Sequence, residues 1–284
     1  MDEKLKTHEA WHDRVHAQYF DTWFNLTYRG LKNTYESFNE VRLLLEYKSL
    51  LHNKKFLEVG CATGELYRYI NHFHGDIDYN GIDISEPAIE RAKKKYPKGK
   101  FFLSEEKKAV SETVRALNIK PAVLFARDVI LHQTNPFEFL EDLLSIPSEL
   151  TILRIRTRDK GATILDPEIS CQWHYEKWVP YMILNLDEVF EVIRKNVFCE
   201  SIHIVKNYMQ LGGHVGRFLP KECYYPETGT AESAICIKLS KHRTLSPKII
   251  VSEQKDANAR LSIFDRKANY LFYRLKAKLL RDNG

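Results

Sequence analysis

The chain has 284 residues, 44% hydrophobic and 29% charged, the balance of a globular protein large enough for one domain with an appendage. No apolar run reaches the ~18 residues of a membrane-spanning helix. The opening MDEKLKTHEAWHD also lacks the basic-then-apolar layout of a secretory leader, so a cytoplasmic protein is expected. The net charge of +5 is uneven: the segment from Lys241 onward has 11 Lys/Arg against 4 Asp/Glu, and the body before it is slightly acidic. A nucleic-acid groove would draw its charge from the core fold, so the body argues against one.

In chain order, Ala10 to Leu51 reads as helical and rich in aromatics (Trp11, Tyr19, Phe20, Trp23, Phe24, Tyr28). It suits either a lid over a cleft or packing against a sheet edge. His8, His12 and His16 recur every four residues on one helical face, but the sequence fixes no carboxylate or cysteine companion for them, and no metal is expected. Apolar runs suited to buried strands follow near Lys55, Asp78, Lys100, Ala122 and Leu150, with two more near Glu200 and Ser233. Amphipathic stretches separate the first five: GELYRYINHF, EPAIERAKKKY, KKAVSETVRALNI and PFEFLEDLL; another, NLDEVFEVIRKNV, precedes the sixth. Such alternation implies a parallel sheet with helices on both faces. A Gly- and Pro-rich linker, not a helix, joins the last two runs, so these strands should pair antiparallel. SCQWHYEKWVPY and RTLSPKII read as loops. The five cysteines (Cys61, Cys171, Cys199, Cys223, Cys236) form no CxxC pair, which suggests free thiols.

The first strand runs into EVGCATG. Small residues in a strand-to-helix turn let a ligand approach the backbone, and the helix N-terminus adds partial positive charge. A nicotinamide dinucleotide would require GxGxxG, but Glu65 occupies the third glycine position and would repel a pyrophosphate. Glu58, just before the glycines, suits a cationic amine. Asp83, ending the second strand in YNGIDIS, can accept both hydroxyls of a ribose. Amine plus ribose without pyrophosphate describes S-adenosylmethionine.

On EVGCATG, GIDIS and RDVILHQTNP the chain resembles the class I SAM-dependent methyltransferases over roughly Lys55 to Lys241. The resemblance implies a Rossmann-like α/β three-layer sandwich whose mostly parallel seven-stranded sheet ends in an antiparallel strand. It implies SAM as cofactor, held by Glu58, Gly60, Cys61, Ala62, Gly64, Asp83 and Ile84, with Ser104 and Glu105 near the adenine and Arg127 close by. Two departures stand out: Ala62 replaces the usual middle glycine, and Ala122 replaces an acid that often opens the fourth strand.

Methyl transfer to a hydroxyl needs an oriented acceptor and a base for its proton. His132, after the fourth strand, is one candidate base, or it packs locally beneath the cofactor. His174 and Tyr175, in the aromatic segment after the fifth strand, are rivals. Arg127 and Asp128 either meet the acceptor or pair with each other. The (D/N)PPY motif and a Pro-Cys nucleophile are both missing, which counts against DNA and RNA bases as substrates. The expected function is therefore methylation, at oxygen, of a small molecule, sugar, or lipid- or carrier-linked glycan. The alternative is a non-catalytic SAM-binding or scaffold subunit.

Three segments follow: a helical N-terminal lid (1–52), a SAM-binding domain (53–241), and a linker with a C-terminal helix (242–284). In that helix Leu261, Phe264, Ala268, Leu271, Leu275 and Leu279 make an apolar stripe opposite a basic face. It suits packing on the core or a second subunit, or contact with an anionic membrane surface.

Overall fold

The computed structural model describes residues 28–52, 54–105, 108–174, 177–208, 228–242 and 247–254. The three N-terminal histidines, Tyr175, Cys223, most of the aromatic N-terminal segment and the C-terminal stripe lie outside them. Helices α1 (Tyr28–Ser37) and α2 (Asn39–Glu46) come first, separated by Phe38 in extended conformation, and a 3-10 turn (Lys48–Leu51) leads into the sheet.

Four strand–helix units and a fifth strand follow: β1 (Lys55–Val59), α3 (Glu65–His74), β2 (Asp78–Asp83), α4 (Glu86–Lys95), β3 (Lys100–Leu103), α5 (Val110–Ala116), β4 (Val123–Arg127), α6 (Pro136–Ser145) and β5 (Leu150–Arg158). Next come a hairpin of β6 (Cys171–His174) and β7 (Lys177–Pro180), the two-residue β8 (Leu184–Asn185), α7 (Leu186–Asn196), β9 (Cys199–Asn207), β10 (Ala231–Leu239) and β11 (Lys248–Glu253). Helix starts follow local chemistry. Ser85 accepts the Ala88 amide, and Asn185 accepts those of Asp187 and Glu188, satisfying N–H groups that a first turn leaves orphaned.

The main sheet has nine strands in the order β11-β9-β10-β5-β4-β1-β2-β3, with β8 paired to β5. Neighbours among β1 to β5 run parallel, and β10 runs antiparallel to both β5 and β9. The fold class is as expected, and the strand count is corrected from seven to nine. β8 is too short to leave a periodic signal. β11 follows Pro247, which reads as a loop marker, and at the sheet edge its side chains show no apolar–polar alternation. The sheet thus continues past residue 241. SCQWHYEKWVPY likewise contains a hairpin where a loop was expected.

Strand alternation sends side chains to two cores. Leu57, Leu124, Leu153 and Ile235 meet α5, α6 and α7 on one face. Phe56, Phe125, Ile152 and Cys236 meet α1 to α4 on the other. Leu31, Tyr35, Val41, Leu43 and Leu44 of α1 and α2 are all buried in that second core, so this part of the N-terminal segment packs on the sheet. Cys61, Cys171, Cys199 and Cys236 are buried free thiols. Among the described residues no helix is long and apolar enough to cross a membrane.

Candidate active site

The carboxyl ends of β1, β2, β4 and β5 lie side by side, the position where an open parallel sheet binds ligands. After β1, the Gly60 and Cys61 amides both donate to the Ile82 carbonyl, at 2.8 and 3.1 Å, so the turn stays bound to β2. Gly60 and Gly64 both have φ of 77°, and a Cβ on Gly60 would meet the Val129 side chain at 2.2 Å. Ala62 also has positive φ, 45°, although it carries a Cβ. The position therefore makes a glycine's demand on a residue that bears it with strain, and this is the structural meaning of the departure at Ala62.

The Ala62 amide donates to Asp83 Oδ2 at 2.8 Å, and the Ser85 amide donates to Asp83 Oδ1 at 2.9 Å. Asp83 thereby ties the turn to the start of α4. A carboxylate oxygen can accept more than one hydrogen bond, so a single side chain can hold both elements. The Ser104 amide donates to the Asp83 carbonyl at 2.8 Å, which brings the end of β3 to the end of β2. Ile84 is half-buried beside them, whereas Glu105 is exposed and paired with Lys108 at 3.2 Å.

Glu58 is buried, and Tyr79 donates its hydroxyl to it. Burial pushes this carboxyl up to about 7, against the pull of the Tyr79 hydrogen bond and the Arg127 charge. Cys61 is buried against β2, with its Sγ filling the space a Cβ on Gly81 would need. Burial, then the Asp83 and Glu58 charges, push its thiol well up, which makes it a packing group and no nucleophile.

Arg127 and Asp128 take separate partners. The Arg127 guanidinium lies over the Phe38 ring (4.9 Å) and the Tyr35 ring (5.7 Å), so α1 and α2 reach this end of β4. Asp128, with φ of 56°, sits between two arginines: Arg154 binds it through Nε at 3.0 Å and through Nη2, and Arg156 through Nη1 at 3.1 Å. Burial works to raise the Asp128 carboxyl, but Arg154 and then Arg156 hold it well below the usual carboxylate range. Arg154 also reaches Glu40 of α2 at 3.2 Å, and Arg156 reaches Glu232 of β10 at 2.9 Å and the Tyr181 hydroxyl at 2.9 Å. Sequence reasoning missed this buried network. Its signal was present in LTILRIRTR, where arginines take over one side of an otherwise apolar strand.

His132 ends a 3-10 turn (Ile130–His132) after β4. Its Nδ1 lies 2.8 Å from the Pro180 carbonyl, and its ring meets Tyr181 edge-on at 6.4 Å. A carbonyl only accepts, so Nδ1 carries the hydrogen and the basic lone pair of the neutral ring is on Nε2. The Met182 amide donates to the Leu131 carbonyl at 2.7 Å and fixes the segment after β7 to the same turn. The backbone of His174 pairs with Lys177 in the hairpin.

The sequence profile of a methyltransferase domain family matches residues 34–182, from α1 through the turn after β7. The chain belongs to this methyltransferase family. Membership bears out the resemblance carried by EVGCATG, and the matched span holds Glu58, Asp83, Asp128 and His132. No curated protein matches the methyltransferase. Among solved structures it is similar to an O-methyltransferase from a trans-AT PKS multienzyme of Brevibacillus brevis in complex with S-adenosyl-L-homocysteine. Identity there is 16%, with 75% of this chain and 78% of that chain covered and a TM-score of 0.49. It is also similar to magnesium protoporphyrin IX methyltransferase from Synechocystis PCC 6803 with bound SAM, at 13% identity, 81% and 94% coverage and a TM-score of 0.47.

Proposed function

We propose that this methyltransferase moves the methyl group of S-adenosylmethionine to a hydroxyl oxygen of a small molecule, a sugar, or a lipid- or carrier-linked glycan. The observation that carries the reading is the pair of carboxylates, Glu58 and Asp83, flanking a left-handed turn at the ends of adjacent parallel strands. Glu58 is a buried acid suited to a cationic amine. Asp83 is the carboxylate suited to a ribose diol, and the small residues of the turn let a ligand come close to the backbone. Gly60, Cys61, Ala62 and Gly64 form the cradle. Ile84 and Ser104 border the adenine side, with Glu105 at its margin, and Arg127 is at the end of β4 on the other side of β1.

The donor supplies a methyl group on a sulfonium, which needs no activation beyond alignment with the acceptor. His132 Nε2 removes the acceptor proton, and the Nδ1–H bond to Pro180 keeps the ring in the required tautomer. His174 and Tyr175 stand as the alternative bases. In this reading residues 1–52 are a helical N-terminal unit whose α1 and α2 pack on the sheet beside the cleft, 53–241 hold donor and acceptor, and 242–284 dock on the core, a second subunit or an anionic membrane surface in the cytoplasm.

The test is incubation with isotope-labelled SAM and hydroxylated probes, methyl glycosides and catechol, followed by mass spectrometry of the products. Label on oxygen supports the proposal. Label on no probe, despite SAM binding, counts against O-methylation of these classes.

A further inference from the structure

Gln172 of β6 is 1% exposed, and neither its Nε2 nor its Oε1 has a hydrogen-bond partner among the described residues. A carboxamide can donate twice and accept twice, and burying all of that capacity unused costs stability. Residues in β6 and β7 pair Gln172 with Val179, also 1% exposed, so the two share the buried face of the hairpin. The next pair is Cys171 with Pro180, and Pro180 is the residue whose carbonyl receives His132 Nδ1. The Tyr181 amide donates to the Ser170 carbonyl at 2.9 Å, locking the base of the hairpin beside that contact. The unsatisfied amide is thus built one residue pair from the bond that orients the histidine.

We infer that Gln172 binds the methyl acceptor, and that the group it reads is a neutral hydroxyl next to the one that receives the methyl. This rests on the methyl-transfer reading above. A hydroxyl both donates and accepts, so one hydroxyl, or a vicinal pair, satisfies both Oε1 and Nε2. A carboxylate or phosphate would face the Oε1 dipole, and an ammonium the Nε2 hydrogens. Arg154 and Arg156 are held by Asp128, Glu40 and Glu232, so their charge is already compensated within the fold. A polyol or sugar acceptor fits this environment.

The test uses the full chain and the variants Gln172→Met and Gln172→Leu, with methyl glycosides carrying vicinal diols as probes. Removing a buried amide that nothing in the fold satisfies leaves the melting temperature equal or higher, with SAM affinity unchanged. KM for the glycoside should rise about tenfold or more. Lower melting temperatures in both variants would show a structural amide and overturn the inference, as would an unchanged KM. Wild-type protein that binds SAM but methylates none of the glycosides overturns the sugar class. Failure of wild type to bind SAM counts against the methyl-transfer reading instead.

Discussion

Asp83 Oδ2 accepts the amide hydrogen of Ala62 at 2.8 Å, while Oδ1 accepts that of Ser85 at 2.9 Å. One side chain thus joins the turn after β1 to the first turn of α4. Asp83→Asn keeps one acceptor oxygen but presents an N–H group toward an N–H donor. The expected loss is about 1–3 kcal/mol of stability, read from urea unfolding, because a charge-assisted bond is replaced by a repulsive contact.

Glu58 predicts a pH dependence. Its folded pKa, about 7, lies above the ordinary 4.5, so its protonated form favours the fold. That contribution is fully present below about pH 4.5 and is lost as pH rises through about 7. The stability advantage of wild type over Glu58→Gln should therefore shrink by about 3 kcal/mol across that window. Denaturant melts of both proteins at a series of pH values check it. A cationic amine arriving beside Glu58 would draw off the proton. SAM binding at about pH 6 should then release a proton, seen as a dependence of calorimetric enthalpy on buffer ionisation heat, and release none at about pH 8.

Gly60 and Ala62 separate steric from conformational demand. Gly60→Ala places a Cβ 2.2 Å from Val129 Cγ2 at a φ of 77°, and should cost roughly 2–4 kcal/mol. Adding Val129→Ala should recover only part of this, since the backbone strain remains. Ala62→Gly relieves strain at a φ of 45° but loosens the unfolded chain, so its net effect on stability should stay within about 1 kcal/mol. Thermal unfolding of the three proteins gives the order.

Strands and helices that alternate in register with burial could be read directly from sequence. β1, β2, β3 and the helices after them match their apolar runs closely because period-2 and period-3.6 patterns survive where one face meets a core. β11 was not legible, since a strand exposed at a sheet edge has no face to mark. The two strand-terminal acids proposed to hold the cofactor, Glu58 and Asp83, could be picked out because a turn of small residues between two such carboxylates has few structural explanations. The network around Asp128 was not legible: Arg154 and Arg156, which bind it, and Glu40 and Glu232, which bind those arginines, come from three distant segments that only the sheet order brings together. Gln172 was hidden for the same reason.

The buried network predicts an asymmetric outcome. Arg154→Met removes the partner shared by Asp128 and Glu40, leaving carboxylates without their main counter-charge. The expected destabilisation is about 3–5 kcal/mol, measured by chemical denaturation. Glu40→Gln keeps a hydrogen-bond acceptor for Arg154 and should cost less.

His132 separates binding from chemistry. His132→Ala should lower kcat by about a hundredfold or more while SAM affinity stays at the wild-type value. His132→Asn, with an amide that can still donate toward Pro180, should not restore turnover. Steady-state kinetics on a methylated probe checks both.

The most direct measurement is calorimetric titration of S-adenosylmethionine into the full-length chain and into Asp83→Ala. The expected result is saturable one-to-one binding by wild type, weakened by about 2 kcal/mol or more in the variant, with circular dichroism showing the fold retained. Equal affinity in the two proteins, or no binding heat in wild type at any pH tested, would contradict the assignment of this turn as the cofactor site.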